Sequence, residues 1–206
     1  MLVTFEGIDG SGKSTQARLL EARLSEAGYP TLLVREPGGT TVSERIRAIL
    51  LDPTLHVDPF SELLLFSAAR AQLVAERIRP ALAEGTLVVC DRFYDSTIAY
   101  QGGGRRLEDL GWLRAFQQRV TGGLRPDRTY LIDLPPAEAL ARRAASDKGA
   151  PDRMEIAGDH FYDRVAAAYH QLAADEPERF LRLDGTQSIE ALHTRIWDDL
   201  MARQAC

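Results

Sequence analysis

Eight residues near the start of the chain have the types and the spacing of a phosphate-binding loop, because residues 7–14 read G-I-D-G-S-G-K-S. In such a loop, glycines let the backbone curl so that several N–H groups point toward one phosphate. Lys13 would bring a positive charge to the outer phosphates, and the hydroxyl of Ser14 could ligate a magnesium ion. The pattern predicts a site for a nucleoside triphosphate with Mg²⁺, formed by Gly7, Ile8, Asp9, Gly10, Ser11, Gly12, Lys13, Ser14 and Thr15.

The residues on either side of this loop support the prediction. An apolar run at residues 2–5 suits a buried strand, and Leu19, Leu20, Leu24 and Ala27 recur after the loop at helical spacing. A strand before the loop and a helix after it are the context in which this pattern binds phosphate. The helix would also present the positive end of its dipole to the anion.

A second chemical signal is the pair Asp91-Arg92, which follows the apolar run at residues 87–90. Ligands of open α/β sheets sit outside the carboxyl ends of the strands, so Asp91 is expected to face the phosphates. There it could hold the shell of the magnesium ion, directly or through water, while Arg92 points at a second anion. Asp133 ends another apolar run, at residues 130–132, and is a rival for the same role.

Two further clusters could contact an organic ligand. Residues 35–40 read R-E-P-G-G-T, in which an arginine, an acid and small residues suit the close approach of a ligand, although a plain turn has a similar composition. Phe66 and Arg70 are four residues apart on a predicted helix and therefore share one face. The ring could stack on a base while the guanidinium donates to its exocyclic oxygen. The alternative is a core phenylalanine beside a solvated arginine.

These residues need a scaffold, and the rest of the chain predicts an α/β fold. Apolar, partly β-branched runs at residues 2–5, 31–34, 86–90, 129–134 and 180–183 predict five strands, and helix-like segments separate them. This alternation is typical of a parallel sheet with helices on both faces. Asp58 and Pro59 predict the start of a long helix that runs to about Glu84, with Pro80 bending or interrupting it.

Two polar or glycine-rich segments are predicted to lie outside the regular elements. Residues 102–104 are three glycines, which we interpret as a mobile hinge or turn. Residues 147–152 read D-K-G-A-P-D between arginines, and we expect an exposed loop able to close over a ligand.

Length and composition favour a single globular domain over residues 1–206. Hydrophobic residues make up 45% and charged residues 27% of the chain, which is ordinary for such a domain. A net charge of -5 weighs against a polymeric nucleic acid partner, which usually requires a basic face, but a local cluster of cations would suffice for small anions. We find no apolar run long enough to span a membrane and expect a cytoplasmic protein.

Four motifs together carry a resemblance to a known family. In order and at similar spacings, G-I-D-G-S-G-K-S-T, R-E-P-G-G-T, F-S-A-A-R-A and D-R-F-Y-D-S-T-I-A-Y-Q resemble those of thymidylate kinases, and the last stretch is the most specific. The resemblance implies phosphoryl transfer from ATP with Mg²⁺ to dTMP, giving ADP and dTDP. It also implies a three-layer P-loop kinase fold with a five-stranded parallel sheet, a mobile lid at about residues 143–156, and a homodimer.

The resemblance further implies roles for the residues that would bind dTMP. The thymine ring would stack on Phe66, and Arg70 would reach the base carbonyl. Tyr100 would crowd the 2′ position of the sugar and favour deoxyribose, while Asp9 would approach the 3′-hydroxyl. The remaining residues implied to contact dTMP are Arg35 and Arg92 at the phosphate, Thr97 and Gln101 at the base edge, and Ser96.

The catalytic charge is expected to come from the phosphate loop and the lid. Some members of the family carry a basic residue inside the phosphate loop, but this chain has Gly10 there. It therefore resembles the members that place their catalytic cations in the lid, where Arg153 is the first candidate and Arg143 and Lys148 follow. With Lys13, Arg92 and Asp9, these complete the predicted catalytic set. Adenine is expected near Arg142 and Gln187.

Two alternatives stay open on the sequence alone. The first is a kinase of similar fold that acts on UMP, CMP or AMP, against which Phe66, Tyr100 and the D-R-F-Y-D-S-T stretch weigh. The second is a non-catalytic switch that closes on ATP and exposes a surface to a partner.

Overall fold

The central feature of the fold is a sheet of five parallel strands. The computed structural model describes residues 1–107, 109–145 and 160–204, and within them the strands are β1 (Leu2–Glu6), β2 (Thr31–Arg35), β3 (Leu87–Asp91), β4 (Arg128–Asp133) and β5 (Phe180–Asp184). Their order across the sheet is β2-β3-β1-β4-β5, and all neighbours pair in parallel. The five predicted strands and their parallel pairing are confirmed.

Helices connect the strands and cover both faces of the sheet. The described helices are α1 (Lys13–Glu26), α2 (Thr41–Leu51), α3 (Pro59–Leu73), α4 (Arg79–Ala83), α5 (Tyr94–Thr97), α6 (Leu110–Val120), α7 (Pro136–Ala144), α8 (Phe161–Asp175) and α9 (Ile189–Gln204). Two π-helical segments, Val74–Ile78 and Ile98–Gly104, extend α3 and α5. None of the helices in the described part of the chain is long and apolar enough to cross a membrane.

A hydrophobic layer fills the space on each side of the sheet. Successive residues of a strand point to opposite faces, so Val88 and Cys90 lie in one layer and Leu87 and Val89 in the other. Side chains of α3, α5 and α8 complete the first layer, and those of α1 and α9 complete the second. The expected three-layer arrangement is therefore confirmed.

The long helix begins where the sequence predicts, and Pro80 alters its hydrogen bonding without breaking it. The side chain of Asp58 accepts hydrogen bonds from the backbone N–H groups of Phe60 (2.9 Å) and Ser61 (3.3 Å), and Pro59 is the first helical residue. Pro80 has no N–H to donate to the carbonyl four residues earlier, and that residue lies in the π-helical segment Val74–Ile78. The helix therefore changes to a π-helical segment just before the proline, continues as α4 and ends at Ala83, close to the predicted end at Glu84.

The three glycines at residues 102–104 correct a prediction. They do not form a hinge or turn, because they lie in the π-helical segment Ile98–Gly104, which packs against α8. A Cβ atom added at Gly103 would lie 2.6 Å from the Cβ of Ala168, and one at Gly104 would lie 2.5 Å from the ring of Phe161. The glycines therefore allow two helices to approach closely.

Most of the predicted lid cannot be compared with the structure. Helix α7 ends at Ala144, so Arg143 is described at the start of the predicted lid. Lys148, Arg153 and the predicted loop at residues 147–152 lie outside the described residues.

Candidate active site

A cavity of about 650 Å³ lies at the carboxyl end of the sheet, beside the loops that follow β1 and β3. This is the edge at which ligands of open α/β folds bind. Most of the residues predicted for the site line it: Asp9, Gly10, Gly12, Lys13, Ser14, Thr15, Arg35, Phe66, Arg70, Asp91, Arg92, Ser96, Thr97, Tyr100, Gln101, Arg142 and Arg143. Residues from five separate stretches of sequence thus meet in one place.

Four of the predicted residues that the structure describes do not line the cavity. Gly7 and Ile8 contribute backbone carbonyl groups beneath it, which accept hydrogen bonds from Arg92 (2.9 Å) and Lys13 (3.3 Å) respectively. Ser11 is buried inside the loop. Gln187 is exposed beyond the end of β5, so this geometry gives no support to a contact with adenine.

The phosphate loop leaves no room for a side chain at Gly10. A Cβ atom there would lie 2.5 Å from the carbonyl oxygen of Ala139 in α7, and the φ angle of Gly10 is +87°, which favours glycine. A basic side chain could not occupy this position unless α7 moved away. The close packing of α7 is therefore a physical reason for the absence of a basic residue inside this loop.

Asp9 is the point where the charged groups of the cavity converge. Its Oδ1 accepts from Arg92 (2.6 Å) and from Lys13 (3.3 Å), and its Oδ2 accepts from the hydroxyl of Tyr100 (3.0 Å). Burial alone would raise the pKa of Asp9, but the charges of Arg92 and Lys13 outweigh burial and hold this pKa well below its usual range. Asp9 is therefore an anion at neutral pH and joins the phosphate loop to the side of the cavity that carries Arg92 and Tyr100.

For Lys13, in contrast to Asp9, burial outweighs the neighbouring opposite charges. Burial lowers the pKa of its ammonium group, the charge of Arg92 lowers it further, and Asp9 and Asp91 act in the opposite direction. Burial makes the positive charge of Lys13 unfavourable. A bound phosphate would place negative charge beside it and so stabilise the charged form, which suits Lys13 to bind an anion.

The backbone turn after β3 holds Arg92 over the cavity. Arg92 has a φ angle of +70°, in the left-handed region, which is strained for a residue with a side chain. Its Nη1 donates to the hydroxyl oxygens of Ser96 (2.9 Å) and Tyr169 (3.2 Å), in addition to the carbonyl of Gly7. The guanidinium is thus fixed by several partners before any ligand binds.

Glu6, which was not predicted from the sequence, lies on the side of Arg92 that carries Ser96 and Tyr169. Its carboxylate accepts from the N–H of Phe93 (2.7 Å) and from the hydroxyls of Ser96 (2.6 Å) and Tyr169 (2.8 Å). Burial, together with the charge of Asp95, raises the pKa of Glu6 to about 7, although Arg92 opposes the shift. A single acid at the end of an otherwise apolar strand was the signal that could have identified it.

Arg70 is held by four partners at the other end of the cavity. It is only 2% exposed, so the alternative of a solvated arginine is wrong. It donates from Nε to Glu36 (2.7 Å), from Nη1 to Thr97 (2.9 Å) and Gln117 (2.6 Å), and from Nη2 to the carbonyl of Phe93 (3.2 Å). The ring of Phe66, half-buried, lines the same end of the cavity.

Two buried acids that were not predicted support this end of the site. Glu36 accepts from Arg70 through Oε2, and burial raises its pKa against the opposing charge of that arginine. Glu62 of α3 accepts from Nε2 of Gln101 (2.8 Å) and forms an ion pair with Arg105 (3.3 Å). Glu36 lies in the R-E-P-G-G-T motif, and Glu62 lies four residues before Phe66. Each acid nevertheless contacts a residue far from it in the sequence, 34 positions away for Glu36 and 39 for Glu62.

The chemistry of the donors at the loop fits a magnesium ion. Ser14 and Asp91 line the cavity, and Oδ1 of Asp91 is buried without a hydrogen-bond partner among the described residues. The rival acid, Asp133, is engaged elsewhere, because it accepts from Arg182 (2.7 Å) and pairs with His170 (2.8 Å). Mg²⁺ is commonly held by one or two protein oxygens together with phosphate and water, so two such residues suffice.

The walls of the cavity are strongly basic. Among the described residues, eight basic and three acidic side chains line it: Lys13, Arg18, Arg35, Arg47, Arg70, Arg92, Arg142 and Arg143 against Asp9, Glu36 and Asp91. The whole chain, in contrast, has a net charge of -5. Positive charge is therefore concentrated where a ligand with several phosphates would bind.

The strand order, the phosphate loop after the central strand and the basic cavity beside it define a P-loop kinase fold. The family model described as thymidylate kinase matches residues 5–196. The chain belongs to the thymidylate kinase family.

Individual relatives support this assignment over nearly the full length of the chain. The thymidylate kinase of Deinococcus radiodurans is 49% identical over 197 residues, which cover 96% of this chain and 94% of that protein. The thymidylate kinase of Chlorobium chlorochromatii is 50% identical over 213 residues, covering 98% and 95%. The crystal structure of thymidylate kinase from Ehrlichia chaffeensis superposes with a TM-score of 0.79 at 36% identity and covers 98% of each chain.

Proposed function

We propose that this enzyme transfers a phosphoryl group from ATP to dTMP and gives ADP and dTDP. The observation that carries the proposal is the position of Asp9, whose carboxylate contacts both Lys13 of the phosphate loop and Arg92 across the cavity. Two cationic groups that face one cavity suit two phosphorylated ligands that must meet end to end. Identity of about one half to named thymidylate kinases supports dTMP over other nucleoside monophosphates.

In the proposed mechanism, the phosphate loop and Lys13 hold the donor phosphates, and Arg92 holds the phosphate of dTMP. Ser14 and Asp91 would bind Mg²⁺, which, when bound, supplies positive charge to the phosphates. Phosphoryl transfer depends on alignment and on neutralisation of charge, so these cations carry the catalysis. No dedicated general base is needed, because the accepting group is itself an anionic phosphate.

The contacts of dTMP follow from the same arrangement. Phe66 would stack on the base, while Arg70, Thr97 and Gln101 face its edge. Ser96 would assist Arg92, and Arg35 is a second candidate for the phosphate. Tyr100, held by its bond to Asp9, would exclude a 2′-hydroxyl while Asp9 approaches the 3′-hydroxyl.

The lid is proposed to complete the charge around the transferred group. Arg143 and Arg142 line the cavity at the end of α7, which supports roles for them near the donor nucleotide. Arg153 and Lys148 stay candidates on the sequence alone. Removal of an arginine that contacts the transition state typically costs a factor of about 10³ to 10⁵ in phosphoryl transfer.

The proposed reaction is tested by measuring ADP release with a panel of dTMP, UMP, CMP and AMP at saturating ATP and Mg²⁺. We expect dTMP to be turned over far faster than the other acceptors. Comparable rates with UMP and dTMP would contradict the assignment. Binding of ATP without any formation of dTDP would instead favour the switch.

A homodimer is proposed as well, in the cytoplasm where free nucleotides are found. Phe60 and Leu64 of α3 and Trp112 of α6 are exposed although they are large and apolar, and α3 packs against α6. A second copy that covered this face would remove the three side chains from water.

Sedimentation velocity tests the dimer. Leu64→Glu is expected to shift the protein to a monomer, because it places a charge inside the proposed interface. Ile189→Glu, at an equally exposed apolar residue on α9, is the matched control and is expected to leave the sedimentation coefficient unchanged. A wild-type protein that sediments as a monomer would refute the proposal.

A further inference from the structure

The side chain of Gln101 is fixed by an acid that does not line the cavity. Nε2 of Gln101 donates to Oε1 of Glu62 at 2.8 Å, and both side chains are 1% exposed. Glu62 lies on α3 and Gln101 on the π-helical segment Ile98–Gly104, so the bond joins two elements. Arg105 pairs with the same carboxylate at 3.3 Å.

This contact determines which end of the amide faces the ligand. A carboxylate can only accept hydrogen bonds, so the NH₂ group of Gln101 must point to Glu62. The carbonyl oxygen, Oε1, is then left on the other side, and it accepts no hydrogen bond from the described residues. Because Gln101 lines the cavity, its carbonyl oxygen is available to a ligand there as an acceptor, beside the one amide N–H that Glu62 does not use.

Arg70 supplies the complementary group. Four of its five N–H groups are used in the contacts described above, which leaves one N–H on Nη2. Arg70 also lines the cavity, and its Nη1 donates to Thr97 on the same helical turn that carries Gln101. This end of the cavity therefore places a donor of Arg70 near an acceptor of Gln101, and a base must match both.

We propose that Glu62 is a positioning residue that makes the site select a base with a ring N–H beside a carbonyl group. Thymine and uracil have this edge, whereas cytosine has a bare ring nitrogen beside an amine, so both of its groups oppose the site. The inference rests on the proposed function, because it assumes that Gln101 and Arg70 face the base. A buried polar pattern of this kind rejects a mismatched ligand strongly, since its groups are left unpaired.

The test compares dTMP with 5-methyl-dCMP, which keeps the sugar, the phosphate and the methyl group and changes only the base edge. In Glu62→Gln, position 62 can donate as well as accept, so the amide of Gln101 is free to turn over. We expect the ratio of kcat/KM for dTMP to that for 5-methyl-dCMP to fall about tenfold or more, with the KM for ATP unchanged. Arg70 still opposes the amine, so some preference for dTMP is expected to persist.

Arg105→Gln is the matched control, because it removes the ion pair of Glu62 and keeps the bond from Gln101 to Glu62. It is expected to preserve the ratio even if it lowers the melting temperature. A merely structural role of Glu62 would lower activity with both acceptors equally. An unchanged ratio in a folded Glu62→Gln protein would overturn the inference and leave the proposed function intact.

Two further measurements keep the inference testable. If Glu62→Gln does not fold, Gln101→Leu removes the acceptor directly and is expected to lower the same ratio; an unaltered ratio there contradicts the inference. If the wild-type protein fails to phosphorylate dTMP, the proposed function fails instead. Calorimetric binding of dTMP and 5-methyl-dCMP to wild-type and Glu62→Gln protein then decides, and an equal affinity ratio in the two proteins overturns the inference.

Discussion

At the scale of single residues, buried acids determine where the cations of the cavity point. Arg92 is held by Asp9 directly and by Glu6 through the hydroxyls of Ser96 and Tyr169. Such support fixes the guanidinium before a phosphate binds, so less conformational entropy is lost on binding. An anion that binds at Nη2 of Arg92 would have to share or displace the bonds from this atom to Asp9 and to Tyr100.

The raised pKa of Glu6 predicts a dependence of stability on pH. Its pKa is about 7 in the folded protein against 4.5 in the unfolded chain, so the folded state binds the extra proton between these values. The stabilisation from this group is therefore complete below pH 4.5 and is lost as the pH rises through 7. Relative to Glu6→Gln, which cannot titrate, the free energy of unfolding should decrease by about 2–3 kcal/mol between pH 5 and 7.5.

Urea unfolding of the two proteins at several pH values measures this difference, and other titrating groups cancel in the comparison. A difference that stays constant over the range would show that Glu6 titrates near its ordinary pKa.

The residues of the site divide clearly into those that sequence could predict and those it could not. Lys13, Asp91 and Phe66 stand in local motifs or at helical spacing, and they meet in the cavity as expected. Glu6 and Glu62 act through hydrogen bonds to residues 90 and 39 positions away, respectively. A lone acid at the end of an apolar strand can mark Glu6 in the sequence, but the partners of either acid cannot be read from a local pattern, because only the fold brings them together.

At the scale of elements, a close helix contact joins the segment Ile98–Gly104 to α8. Gly103→Ala would place a methyl group 2.6 Å from the Cβ of Ala168, so one helix must move. We expect a loss of about 1–3 kcal/mol in the free energy of unfolding, as is usual for overpacking. The double variant Gly103→Ala/Ala168→Gly should recover part of this loss, and chemical denaturation measures both.

Additive losses in the double variant would mean that the two positions do not interact. Recovery is expected to be partial, because the carbonyl oxygen of Arg164 also lies 3.2 Å from the added atom and glycine weakens α8 by about 1 kcal/mol.

The strands were easier to predict than this helix contact. Apolar runs such as residues 86–90 are buried on both faces, and their composition identifies a central parallel strand without further information. The glycines at 102–104 were misinterpreted because the same residue type serves both flexible turns and tight helix packing. Only the neighbouring element, α8, decides between these two uses.

At the scale of the whole molecule, a buried ion pair connects distant parts of the chain. Arg179, just before β5, donates to both carboxylate oxygens of Asp95 in α5, at 2.6 and 2.9 Å, and Asp95 is completely buried. Asp95→Asn would leave the partly exposed Glu176 as the only acid paired with Arg179 among the described residues, so the buried charge would be poorly compensated. We expect it to reduce the free energy of unfolding by about 3–5 kcal/mol, measured by denaturation in urea.

Asp175→Asn breaks an ion pair with Arg114 that is about one third exposed and serves as the control. Its expected cost is much smaller than that of Asp95→Asn, because water screens such a pair. Equal losses in the two variants would contradict the importance of burial for the pair of Asp95.

The contrast between a basic cavity and an acidic chain has a consequence for diffusion. Seen from afar, a chain with a net charge of -5 should repel a nucleotide, and added salt would then speed up their encounter. Near the mouth of the cavity, the eight basic side chains dominate, and the field of such a cleft guides small anions inward. The association rate of dTMP in stopped-flow mixing should therefore fall as ionic strength rises, as it would for a cationic protein. The net negative charge of the chain would repel long polyanions that cannot enter the cavity. A nucleotide small enough to enter its mouth would be attracted by the basic side chains there.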